Sequence, residues 1–246
     1  MLELTTFSIA ARCARTGMLG AAVSTAVPGV GALCPFVGAA VGAVCTQSWV
    51  NPYLGIDGVR LMGEGKTAQQ ALDQLIAADP GREVRQLGLV DRDGGSAAWT
   101  GKDCTQWFGH ITGPDFAVQG NMLVGEPTIR AMADAFVAGA ALDLPERLIA
   151  VLEAGQAAGG DKRGRQSAAL KVLHREDYPW LDLRVDEHRY PIAELRRVYE
   201  VARHQLLPFI AGMPTRANPL GNLPKEITAI LLTPPPFRPG GGGSGL

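Results

Sequence analysis

The sequence predicts an α+β fold of two stacked, mainly antiparallel sheets with helices outside them, a four-layer αββα sandwich. Three observations predict it. Short strand-like segments follow one another across hairpin-length turns, which pairs neighbours antiparallel. Several, such as LGAAV at 19–23 and VGAVC at 41–45, are apolar on both faces and suit sheets covered on both sides. The elements also come in blocks, strands then helices then strands, rather than in βαβ alternation.

The first strand is expected over 6–12 and the second over 20–25. The turn Ala14-Arg15-Thr16-Gly17 between them ends in a glycine free to take positive φ. Further strands fall at 30–33 and 42–47. After the Asn51-Pro52 turn a helix opens near Ile56, and a helical period runs from 58 to 77 through Val59, Leu61, Met62, Ala71, Leu72 and Leu75. Gly63 and Gly65 split it, and Thr67, with Gln70 three residues on, caps the second half. Asp79-Pro80-Gly81 ends it. A strand–turn–strand signal covers 86–91, Asp93-Gly94 and 96–100. Strands at 107–111 and 116–120 follow, then helices at 126–138 and 145–157, with Pro145 at a first-turn position. Strands at 166–174 and 181–185 and a helix at 192–206 complete one domain, 1–206.

Beyond it, prolines recur at 208, 214, 219, 224, 234, 235, 236 and 239, and the chain ends GGGGSGL. This reads as an extended arm and a flexible tail, 207–246, with the final GGGGS resembling an added linker. Within the arm, EITAILL at 226–232 is apolar enough to add a strand to a neighbouring subunit.

At 246 residues, with 46% hydrophobic and 19% charged residues, the chain is long and apolar enough to bury a core. A net charge of −1 and 6% aromatic residues argue against nucleic acid as a partner. Cys13, Cys34, Cys45 and Cys104 form no CxxC pair, so neither a zinc site nor a disulfide framework is expected; buried small hydrophobes are. Residues 19–44 carry no charge, but Pro28, Pro35 and frequent glycines fit short buried strands better than a membrane span. No secretory leader is read at the start. A cytoplasmic protein without membrane contact is expected.

Three polar stretches interrupt apolar strands: Cys45 to Pro52, Gln119 to Met122, and Gly159 to Ser167. The amides Gln47, Asn51 and Asn121 can stabilise an oxyanion or hold a carbonyl; equally, they can cap turns or satisfy buried backbone. Arg163 and Arg165 offer forks for a carboxylate or phosphate, or simply form a solvated turn. No HExxH, P-loop or Gly-x-Ser-x-Gly elbow occurs. Thr5 and Thr6 head the first strand. A threonine there is usually a matter of β-propensity, yet a threonine at a free N-terminus is a nucleophile with its own α-amine as base.

TTFSIAAR, TGMLGAAVST, GVGALCPF, GAVCTQSWVNPYLG, AADPGREVRQLGLVD, QGNMLVG, LEAGQAAGGDKRGRQSAALKV and LDLRVDEHRYPIAELRRVYE, in that order, closely resemble a bacterial family catalogued as domain of unknown function 1028. The resemblance runs from about Thr6 to about Ala202. That family is grouped with the N-terminal-nucleophile (Ntn) hydrolases, which include proteasome-type β subunits, asparaginase-like amidases and acylases. The resemblance implies an Ntn-hydrolase-like αββα sandwich and hydrolysis of an amide bond in a small molecule or short peptide, without metal or organic cofactor. It matches Thr6 to the threonine of the family's strand head TFSI, which makes Thr6 the nucleophile candidate and Thr5 the second choice. Asn121 and Gln47 join it as catalytic candidates; Ser24, Thr46, Asn51, Arg163 and Arg165 are substrate-binding candidates. Many relatives start Met-Thr-Phe-Ser, whereas here Leu2 follows Met1, so exposing Thr6 requires cleavage after Thr5. The competing expectation is a non-catalytic assembly or ligand-binding homo-oligomer, like proteasome α subunits. A weaker one makes Cys45 a thiol nucleophile.

Overall fold

A β-branched and small-residue run, TFSIAAR, forms β1 (Thr6–Arg12) and turns back into β2 (Leu19–Thr25) in the register Thr6 to Thr25 and Arg12 to Leu19. A computed structural model of the chain describes residues 6–222 and 224–232. Thr5, the prefix MLEL and the terminal GGGGSGL lie outside the described residues. The fold is mixed α/β, with two antiparallel sheets and, among the described residues, seven α-helices.

After β2 come β3 (Pro35–Gly38), β4 (Gly42–Ser48), α1 (Pro52–Gly63), α2 (Ala68–Ala78), β5 (Arg85–Asp91) and β6 (Ser96–Thr100). Next are β7 (Gly109–Gly113), β8 (Phe116–Asn121), α3 (Glu126–Ala138) and α4 (Leu144–Ala157). The order ends with β9 (Ser167–Leu173), β10 (Leu181–Val185), α5 (Pro191–Gln205), α6 (Leu207–Gly212) and α7 (Lys225–Leu232). One sheet runs β10-β9-β2-β1-β8-β7 and the other β3-β4-β5-β6.

Two cores follow from the two-residue strand period. Ala10, Ala21, Val23, Ala117 and Ala169 of the six-stranded sheet meet Ala43, Cys45 and Val90 of the four-stranded sheet in one buried cluster. The alternate residues Val44, Leu87 and Leu89 pack with Leu54, Leu61, Met62, Leu72 and Leu75 of α1 and α2. On the other sheet, α4 packs against β1, β2 and β9, and α3 against β7 and β8. Gly155 of α4 leaves room for Met132 of α3, so the two helices approach closely.

Local signals hold these pieces in place. Thr67 and Gln70 form the reciprocal capping box at the start of α2. Asp91 accepts from Asp93 N and Gly95 N, closing the β5–β6 turn, and from Ala68 N at 2.8 Å, tying that turn to α2. Asp79, just past α2, pairs with Arg85 at the start of β5 at 2.9 Å.

Several elements depart from the sequence expectation. Residues 30–32 form a short 3-10 turn rather than a strand, with Gly29 at φ 70 before it; the strand comes later, at Pro35. Asn51 caps α1 directly, so the helix starts at Pro52 rather than near Ile56. The run 226–232 is helix α7, not a strand. Its apolar residues Ile227, Ile230 and Leu231 fall at helical spacing, and so short a run carries no decisive period.

The chain divides into two compact units, residues 1–197 and 198–246. The second contains the end of α5, with α6 and α7; Leu220 is 94% exposed and Leu232 79%.

Candidate active site

The register of β1 puts Thr6, Ser8 and Ala10 on one face of the six-stranded sheet, and Ala10 belongs to the core shared with the four-stranded sheet. Directly opposed residues share that face, so it also carries Thr25 of β2 and Gln119 and Asn121 of β8. From the four-stranded sheet, the parity that turns Cys45 and Val90 into this core turns Gln47 and Gln86 into it as well. The interior between the sheets is thus apolar at one end and polar at the end where β1 begins.

The polar end is a continuous hydrogen-bonded network. Thr6 Oγ1 donates to Thr25 Oγ1 at 3.2 Å. Gln47 Nε2 donates to Thr6 O at 3.2 Å and to Gln86 Oε1 at 2.8 Å, while its Oε1 accepts from Ser8 Oγ at 2.6 Å. Asn121 Nδ2 donates to Gln86 Oε1 at 3.0 Å, and Gln119 Nε2 donates to Ser8 Oγ at 2.6 Å. Gln86 Nε2 reaches Gly120 O at 2.8 Å and Thr100 Oγ1 at 3.0 Å, and Thr100 Oγ1 meets His110 Nδ1 at 2.8 Å. Thr6 is 3% exposed; Ser8, Gln86 and Gln119 are fully buried. Pairing matters at such depth, because an unpaired buried amide costs about 1–3 kcal/mol; Gln119 Oε1 nevertheless has no partner among the described residues.

The backbone turns sharply right after an amide on each sheet. Ser48, following Gln47, has φ 67, and Met122, following Asn121, has φ 51. Both lie in the left-handed region that non-glycine residues rarely enter. The chain from Met122 then meets the loop before β9: Leu123 bridges Asp161, Lys162 N donates to Met122 O at 3.3 Å, and Lys162 Nζ to Gln106 O at 2.6 Å. The Asp161 carboxylate, its side chain 1% exposed, accepts from Ala26 N at 3.1 Å and Arg163 N at 2.8 Å. It thereby fixes the chain next to Thr25.

Among the sequence candidates, the structure brings together Thr6, Gln47 and Asn121. Arg163 stands beside Asp161 at 3.5 Å, and Arg165 lies over the Tyr190 ring at 4.7 Å. Three others are placed elsewhere. Ser24 pairs with Phe7 on the opposite face of the sheet from Thr6, and its hydroxyl donates to Ser167 O. Thr46 alternates with Gln47, so it points to the α1 side, where its hydroxyl donates to Asn51 O at 3.3 Å. Asn51 accepts from Tyr53 N as the α1 cap and lines a cleft of about 280 Å³ between α1 and α2. Cys45 is fully buried and its thiol donates to Ile9 O at 3.4 Å. Burial, together with Cys45, pushes the neighbouring Cys34 thiol well above its usual value.

Sequence reasoning left out Ser8, Thr25, Gln86, Gln119 and Asp161. The available signal was parity: once Gln47 faces inward, its partner Gln86 must do so too. Among the described residues, no group of three or more His, Cys, Asp or Glu could hold a metal ion, and no helix is long and apolar enough to cross a membrane.

Comparison with known proteins gives the following. No curated protein matches the chain. A crystal structure of protein SPO2555 from Silicibacter pomeroyi, of family DUF1028, is 30% identical, with a TM-score of 0.81. The match covers 89% of this chain and 100% of that one. Anbu, the ancestral beta-subunit from Yersinia bercovieri, is 14% identical over 85% of this chain and 98% of its own, with a TM-score of 0.32. The family model described as a family of unknown function, DUF1028, matches residues 6–195, and the chain therefore belongs to that family.

Proposed function

We propose that the chain is an Ntn-type hydrolase in the four-layer αββα form, cleaving an amide bond of a small molecule or short peptide. One observation carries this: Thr6 heads β1 between Thr25 and Asn121, its side chain turned toward the polar end of the intersheet space. Cleavage of the Thr5–Thr6 bond frees the Thr6 amine. That amine takes the hydroxyl proton as Oγ1 attacks the carbonyl, then passes it to the departing amine; water hydrolyses the resulting ester.

The neighbours divide the remaining work. Asn121 Nδ2 gives one N–H to Gln86 and keeps a second for the oxyanion. Gln47 spends its two N–H groups on Thr6 O and Gln86 Oε1, so it positions the nucleophile rather than touching substrate. No cofactor enters the reaction. In this reading the protein is cytoplasmic and domain 1–206 carries the chemistry.

The test is a screen of small amides and short peptides with Thr6→Ala and Thr6→Ser variants of the full chain. Thr6→Ala is expected to abolish any hydrolysis found and Thr6→Ser to retain part of it. Unchanged turnover by Thr6→Ala refutes the assignment.

A second reading, a non-catalytic homo-oligomer, is favoured by the exposed leucines Leu220 and Leu232 beyond residue 206. It predicts that removing 207–246 changes the number of subunits in the oligomer; an unchanged number counts against it.

A further inference from the structure

The loop before β9 joins the Thr6 strand to a second feature. Gln166 N donates to Thr25 O at 2.8 Å, and Gln166 O accepts from His188 N at 2.8 Å. One backbone unit therefore links the partner of Thr6 to the segment before α5. On either side of that link stand two arginines, Arg165 and Arg189. Both are exposed, and both lie on one ring: the Arg165 guanidinium is 4.7 Å and the Arg189 guanidinium 5.4 Å from the centroid of Tyr190.

Like charges gathered on one aromatic ring repel each other, and a cation–π contact at an exposed site is weak. Among the described residues neither arginine has a carboxylate partner. Three of the neighbouring acids are committed elsewhere. Asp161 holds Ala26 N and Arg163, Glu194 holds Arg197 at 2.6 Å, and Asp186 lies 3.8 Å from Arg184. Glu187, two residues from Arg189, forms no ion pair among the described residues. The Tyr190 backbone is held at both ends, since Tyr190 N donates to His188 Nδ1 at 3.0 Å and Tyr190 O accepts from Glu194 N. Two forks of five N–H donors each thus stand on one ring, and neither is paired with a carboxylate among the described residues.

We propose that Arg165 and Arg189, carried on Tyr190, anchor a carboxylate of the substrate. This rests on the hydrolase reading and narrows its substrate class. Arg165 lies two residues before β9, whose first residue Ser167 pairs with Thr25 and through it with Thr6, so two strand spacings put that end of β9 about 10 Å from Thr6. An extended chain covers that distance in about three residues. The class is a short anionic amide: a peptide of about three residues, or an acyl chain of that reach, ending in a carboxylate.

The probes are N-acetyl-trialanine with a free C-terminal carboxylate and the same peptide as its neutral C-terminal amide. Their binding is measured by calorimetry on the full-length Thr6→Ala protein and on Thr6→Ala combined with Arg165→Gln and Arg189→Gln. The carboxylate peptide is expected to bind about tenfold more tightly than the amide. That preference should vanish in the combined variant, and it should shrink as salt rises from about 50 to about 500 mM. Equal binding of the two peptides overturns the proposal. So does a preference kept by the combined variant, or no binding of either peptide at about 10 mM. The hydrolase reading fails separately: a clear carboxylate preference with no turnover of any amide by the wild-type chain removes the hydrolase and leaves the anchor. Turnover of both peptides with equal kcat/KM leaves the hydrolase and removes the anchor.

Discussion

Asn121 on β8 donates to Gln86 on β5 across the space between the sheets, Nδ2 to Oε1 at 3.0 Å. The same Gln86 oxygen accepts from Gln47, and the Gln86 amide nitrogen serves Gly120 O, Gly109 O and Thr100. Gln86 is therefore the joint at which the candidate oxyanion donor and the residue holding Thr6 are fixed to each other.

Replacing Gln86 by Leu keeps the volume but removes that joint. Asn121, Gln47 and the Gly120 carbonyl lose their partner in a fully buried setting, and each orphaned group costs about 1–3 kcal/mol. The expected loss of stability is about 3 kcal/mol or more, read from denaturant unfolding of the two proteins. A Gln86→Leu protein as stable as wild type contradicts the network's role.

Gly88 faces Cys45 across the β4–β5 pair, and a Cβ built on it would overlap the Gln119 amide. The absence of a side chain there lets Gln119 lie against the opposing sheet and reach Ser8. Gly88→Ala is expected to cost about 1–3 kcal/mol through overpacking. Unchanged thermal unfolding would show that Gln119 has room to move.

Some of this was legible in the residue order. The Thr67/Gln70 capping box and the Asp93-Gly94 turn depend on neighbours three or four residues apart, and both stand where the spacing puts them. Gln47 and Asn121 drew notice because each lies where a polar stretch interrupts an apolar strand, and Thr6 because it heads the first one. Gln86 did not, and Gln119 was noticed only as part of the stretch ending at Met122, without a role of its own. Their importance comes from the registers Gln47 to Gln86 and Ser8 to Gln119, which link segments 39 and 111 residues apart and have no local signature. Thr46 and Ser24 show the converse: strand alternation alone turns them away from the face that carries Gln47 and Thr25.

Asp79 supplies a pH dependence. Burial alone would raise its carboxyl, but hydrogen bonds from Arg85 and the Gly81 N–H, with the charges of Arg85 and Arg82, outweigh burial and hold it below the usual carboxylate range. A carboxyl depressed on folding stabilises the fold above its unfolded value of about 3.9, and that contribution disappears as pH falls through the folded value. Asp79→Asn should cost about 1–3 kcal/mol at neutral pH and flatten the loss of stability below about pH 4. Acid unfolding with the same slope in both proteins contradicts this.

Asp161 holds Ala26 N, next to Thr25, and Arg163 N with its two carboxylate oxygens. An asparagine there keeps one acceptor and gives up the other. Asp161→Asn is expected to raise amide exchange at Ala26 or Arg163 by about tenfold, in line with loss of one charge-assisted bond. Any hydrolysis should fall with it. Exchange at both amides matching wild type would leave Asp161 without this role.

The central claim is that Thr6 acts through a free α-amine, and the N-terminus of the active protein tests it most directly. Intact mass spectrometry of the purified, hydrolytically competent chain is expected to find a species beginning at Thr6, lacking MLEL and Thr5. A competent preparation in which every chain still begins at Met1 contradicts the claim.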